Sequence, residues 1–229
     1  MLRLLSFLFL VSAFFSCLPE KTALERALRE AGDNRMELEK VLAYYRDDTL
    51  KYQAACFLIE NMPDQYAVLP LDSTDTYARA LLSLDKEDPV SWEISRSLVA
   101  AVFDSISKIQ PESRIKIVRD IEVMTSDYLI ENIESAFKVW NRRGVAKHYS
   151  FDDFCSYVLP YRVAHEPLSH WRRTALQRYG HWLDSLNAPQ DIARSIAMRY
   201  PVRYNAGMTK YPYIMSYEEM DSLQWGTCD

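Results

Sequence analysis

The chain has 229 residues, 48% of them hydrophobic and 26% charged, which suits a folded protein with a sizeable core and excludes a wholly disordered one. Its formal net charge is -5, and the 27 Lys and Arg are scattered among 32 Asp and Glu without a basic face, so no nucleic-acid partner is expected. Only five glycines are present, which argues against a turn-rich all-β fold.

Met1-Leu2-Arg3 and the apolar run from Leu4 to Phe15 form a basic start and a hydrophobic stretch too short to span a bilayer. They read as an export signal over residues 1–16. Ser16-Cys17 follows directly and resembles a bacterial lipobox, in which Cys17 carries lipid and tethers the chain to a membrane of the cell envelope. An ordinary secretory signal with an incidental cysteine is the plainer alternative. With Cys17 acylated, Cys56, Cys155 and Cys228 remain, and an odd number leaves at least one free thiol. Cys56 and Cys155 sit among apolar neighbours as small core residues, and no Cys/His spacing suggests a metal. No cofactor is expected.

From Thr22 onward helical periodicity dominates, and the expected class is mostly α, a multi-helix array of helical hairpins. Leu24, Ala27, Leu28 and Ala31 share one stripe, which Gly32-Asp33-Asn34 stops. A second helix turns Leu38, Val41, Leu42 and Tyr45 inward, and a third, Thr49 to Met62, is expected to bury Leu50, Ala54, Phe57 and Leu58. Residues 63–70 read as a connector. Further helices are expected after the Asp72-Ser73-Thr74 cap and from Asp88-Pro89 to about Ile109, while Ile115 to Val118 alternates like a strand. These elements make up an N-terminal helical region, residues 17–120.

In residues 121–229, Thr125 or Ser126 caps a long helix with Leu129, Ile133, Phe137 and Trp140 inward. Ser150 and Asp153 form a capping box, opening a short helix that Leu159-Pro160 ends. Pro167 and Pro189 sit at first helical positions of two more helices, and Ser216 with Glu219 caps the last. Arg162, Glu166 and Arg172, around Pro160 and Pro167, suggest an ion-paired structural corner, with a site-shaping network as the sharper alternative. Between Pro201 and Tyr217 the chain is irregular and rich in tyrosine, a candidate binding loop carrying Tyr211 and Tyr213.

Three stretches carry a family resemblance: Asp127 to Trp140, Phe151 to Val163 with Glu166-Pro167-Leu168 and Trp171-Arg172, and Trp225-Gly226-Thr227-Cys228-Asp229. Together they resemble the exported transglutaminase-like proteins of Bacteroidetes-type bacteria. The resemblance implies a helical region leading into a papain-like core, with thiol-based acyl transfer or amide hydrolysis on a peptide-like substrate. Cys228 then matches the nucleophile, and Trp225, Tyr211 and Tyr213 are candidates to line its site. The family's histidine and aspartate follow the cysteine on later strands. His148, His165, His170 and His181 all precede Cys228, so none matches by motif, and the chain is expected to be the N-terminal portion of such an enzyme, inactive alone and lacking the β part of the core. An unassisted thiol, with a pKa of about 8.5, is mostly protonated at neutral pH. The alternative is a non-catalytic surface lipoprotein binding peptide, glycan or protein through the tyrosine-rich segment.

Overall fold

The computed structural model describes residues 22–70, 115–142, 148–183, 188–199, 203–204, 215–223 and 225–226, with isolated positions between. The expected export signal with Cys17, the helices between residues 71 and 110, and most of the tyrosine-rich loop lie outside the described residues. What is described is mostly helical, as the periodicity predicts. Among the described residues no helix is long and apolar enough to cross a membrane.

Three helices open the fold: α1 (Ala23–Glu30), α2 (Arg35–Tyr44) and α3 (Thr49–Glu60). Their caps are local. Thr22 accepts from the Glu25 amide and Asp48 from the Lys51 amide, each satisfying one orphan donor of a first turn. Gly32, in the left-handed region at φ +54°, makes the turn between α1 and α2. The inward stripes are Ala27, Leu28 and Ala31 on α1, Leu38, Val41 and Tyr45 on α2, and Ala54, Ala55, Leu58 and Ile59 on α3. Leu50 corrects the sequence reading: it is 46% exposed, because α3 enters the core one turn later, at Ala54.

Residues 63–70 also differ from expectation. Tyr66–Pro70 is a strand, β1, paired antiparallel with β2 (Ile115–Arg119), with Tyr66 opposite Arg119 and Pro70 opposite Ile115. Flanking prolines made this segment look like a connector. Pro70 fits the end of a two-stranded ribbon, where a missing donor matters least. Ile115 to Val118, which alternate like a strand, lie in its partner.

The short helix α4 (Asp120–Val123) leads to α5 (Ser126–Arg142), the central element, which packs against α2, α3 and the later α7 (Trp171–Leu183). Leu129, Ile133, Ala136 and Phe137 form its buried apolar face. The first turn of α2 fixes its entry. Asn34 Nδ2 donates to the carbonyls of Ile121 and Met124 at 3.0 and 2.9 Å. Glu37 accepts from the Ser126 amide and hydroxyl at 2.8 and 2.7 Å. Hydrogen bonds from Lys40 first, and then from Ser126, lower the Glu37 pKa to about 2.

Beyond α5, the capping box of Ser150 and Asp153 opens α6 (Phe151–Asp153), which runs into a π-helical turn, Phe154–Val158. The buried ring of Phe154 stacks on Trp140 and meets Phe137 edge-on, closing the core at this end. One apolar cluster takes residues from Ala27 through to Tyr161, so both sides of position 120 share it. Helix α7 starts at Trp171, four residues later than Pro167 suggested. The remaining elements are α8 (Pro189–Arg199), β3 (Arg203–Tyr204), α9 (Tyr217–Leu223) and β4 (Trp225–Gly226), with β3 and β4 parallel.

Candidate functional site

Residues 159–170 have almost no helical or strand pairing of their own, so other groups must satisfy their backbone. Side chains do most of this. Asn132 Nδ2 donates to the Leu159 carbonyl at 2.9 Å, Arg172 Nη2 to Pro160 at 2.8 Å, and Trp171 Nε1 to Tyr161 at 2.8 Å. The Tyr128 hydroxyl donates to Ser169 at 2.9 Å. The Val68 amide, on β1, donates to His165 at 3.0 Å, and the His165 ring stacks on Tyr66 with centroids 4.0 Å apart. Glu166 returns its carboxylate to the amides of Val163 and Ala164 at 2.9 and 2.7 Å. These bonds hold the segment extended past Pro167, and His170 then caps α7 by accepting from the Thr174 amide.

Beneath the segment lies a dry ion pair. Arg162 meets Asp120 through two parallel hydrogen bonds of 2.7 and 2.6 Å, with side-chain exposures of 3% and 1%. Its third arm donates to the Glu166 carbonyl. Such a fork is geometrically specific, and its attraction offsets a large desolvation cost only when the remaining donors are also satisfied. The Tyr161 hydroxyl is buried beside Asp120, and burial together with that carboxylate drives its pKa far up. Arg162 and Glu166 do sit together in a structural corner, but the expected pairing of their charges is not found: Arg162 pairs with Asp120, and the Glu166 carboxylate accepts backbone amides instead. Asp120 carries no sequence signal, lying 42 residues away.

A second face of α5 serves this corner. Tyr128, Asn132 and Ser135 recur at helical spacing beside the apolar stripe, and with Glu131 they face Ser169, His170, Trp171 and Arg172 across a cavity of about 10 Å³. Asn132 is buried and bridges Arg172 and Leu159. An Asn one helical turn from Leu129 and Ala136, beside the apolar stripe, is the signal that could have revealed this face. Glu131 accepts from Arg173 at 2.8 Å and pairs with His170 Nδ1 at 2.8 Å.

The approach to Cys228 is held from both sides. Ser216 and Glu219 form the expected capping box, and Asp221 ties α9 to α7 through Arg178 and Tyr179. The chain then pairs with β3, Trp225 opposite Arg203 and Gly226 opposite Tyr204. Cys228, Tyr211 and Tyr213 lie outside the described residues, and for Trp225 only the backbone is described. The described thiols are poor nucleophile candidates. Burial, and then Asp152, push Cys155 up to about 11, and burial followed by Glu60 raises half-exposed Cys56. Among the described residues no cluster of His, Cys, Asp or Glu has the makings of a metal site. No protein family, curated protein or solved structure matches the chain.

Proposed function

We propose that the chain is the N-terminal portion of an exported transglutaminase-like thiol enzyme, contributing the nucleophile Cys228 for acyl transfer or amide hydrolysis on a peptide-like substrate. The observation that carries the reading is the tethered approach to that cysteine. A capped helix bonded to α7, followed by a strand pair, fixes the backbone to within two residues of Cys228, and a nucleophile needs such positioning. The stretch from Phe151 to Arg172, where the family resemblance is most specific, also forms the densely bonded corner. In the same reading the chain is lipid-anchored through Cys17 in the cell envelope.

Activation of the thiol requires a base and an orienting group, which this family supplies downstream of the cysteine, whereas the last histidine here is His181. The purified 229-residue chain is therefore expected to give no turnover on glutamine-containing peptides. Amide hydrolysis that disappears in Cys228→Ala would overturn the inactivity while supporting the thiol assignment. Sequencing the coding region past the Asp229 codon tests the parent enzyme: a helix followed by His and Asp supports it, and an immediate stop codon overturns it in favour of a binding lipoprotein. Mass measurement of membrane-fraction protein tests the anchor, which an unmodified Cys17 would remove.

A further inference from the structure

Two arginines are buried in the corner, and among the described residues only one has a counter-ion. Arg162 and Arg172 are each 9% exposed. Arg162 is neutralised by Asp120. Arg172 donates instead to two uncharged oxygens, Asn132 Oδ1 at 3.1 Å and the Pro160 carbonyl at 2.8 Å, and among the described residues no carboxylate lies within ion-pair distance of it. Among the described residues Glu131 is the acidic residue lining the same cavity, and both its oxygens are engaged by His170 and Arg173.

We propose that the cavity between α5 and the start of α7 is a subsite for a single carboxylate group, with Arg172 as its anchor. A buried guanidinium stays charged, and a buried charge calls for a partner of opposite sign. Burial lowers the Arg172 pKa only to about 10, so the cation persists at neutral pH. Nε and Nη2 hold the protein, while Nη1 has no protein acceptor among the described residues. The Trp171 ring, with its centroid 4.6 Å from the guanidinium carbon, steadies the fork. Ser135 and Ser169 supply neutral polar groups to the cavity wall, and His170 and Arg173, which line it too, hold Glu131 in its own ion pairs. At about 10 Å³ the cavity has room for about one water-sized atom, so one carboxylate oxygen enters while the other oxygen and the rest of the ligand stay outside. The ligand class is thus a peptide C-terminus or an acidic side chain. This site is independent of Cys228, and its test needs no turnover.

The experiment titrates N-acetylglycine into the 15N-labelled chain at constant ionic strength and follows the Arg172 Nε–H resonance and the neighbouring Trp171 Nε1–H resonance, the latter serving the Arg172→Lys variant as well, with N-acetylglycinamide, chloride and inorganic phosphate as controls. The expected result is a saturable shift, half complete at about 1–10 mM, as one charge-assisted contact allows. The neutral amide should give none, and Arg172→Lys should weaken binding about tenfold or more by losing the fork. An equal response to the amide, equal saturation by chloride or phosphate, or a shift that stays linear would each overturn the proposal. Should Arg172→Lys not fold, the comparison of the four probes on the unaltered chain decides it alone.

Discussion

The apolar wedge formed by α1, α2, α3 and one face of α5 and the polar corner at residues 159–172 both contain buried side chains, yet they are held by opposite means. Leu38, Val41, Ala54, Ile59, Leu129 and Ile133 are buried without polar atoms in their side chains, so shape and volume decide their fit. In the corner, Asp120, Asn132, Arg162 and Arg172 are also buried but joined by directed bonds. Non-directional packing lets a core adjust to a changed side chain. Directed bonds leave an orphaned charge or donor whenever one partner goes, so the corner fixes geometry more sharply and tolerates less. Helix α5 belongs to both regions, giving Leu129 and Ile133 to the wedge and Asn132 to the corner.

The comparison is broken most severely at Asp120. Asp120→Ala leaves Arg162 charged and buried, and should cost about 3–5 kcal/mol in urea-induced unfolding. Replacing both partners, Asp120→Leu with Arg162→Met, should recover most of that loss, because the penalty lies in the orphan rather than in the absence of the pair. A double variant no more stable than Asp120→Ala alone would show that the ion pair itself is required. In the wedge, Ile133→Ala should cost about 3 kcal/mol in the same assay, from lost burial and a residual cavity, and no second substitution on a neighbouring polar group should rescue it.

Glu37 sharpens the boundary between the regions, since it holds the first turn of α5 from α2. Its folded pKa, about 2, lies below the ordinary value of 4.5. The ionised form is therefore favoured by folding: its contribution is complete above about pH 4.5 and is lost as pH falls through about 2. Glu37→Gln should lower the thermal midpoint at pH 7 by less than either core substitution, and the gap from the unaltered chain should close between pH 4.5 and 2. A gap independent of pH would mean that the charge is not what Glu37 contributes. The smallest effect is expected at Leu50, which the sequence pattern had placed in the core. Being 46% exposed, it should accept serine with a change within about 0.5 kcal/mol, and a larger loss would restore it to the core.

The sequence alone determined the helical class, and the reason is that helices close their bonds locally. Ser150 with Asp153 and Ser216 with Glu219 meet within one turn, so spacing of three residues suffices to announce each start. The inward stripes of α2 and α5 follow from the same 3.6-residue period. Of the candidate site, Arg162, Glu166 and Arg172 were legible as residue types gathered around two prolines. Which of the arginines would be neutralised was not. Asp120 reaches Arg162 across 42 positions, Glu37 reaches Ser126 across 89, and β1 finds β2 only when the intervening chain returns. Those pairings depend on how whole elements are set against one another, and no short-range pattern encodes that. The late start of α7 has the same origin, because donors from α5 and β1 claim the carbonyls of His165 and Ser169 and hold that segment extended until His170.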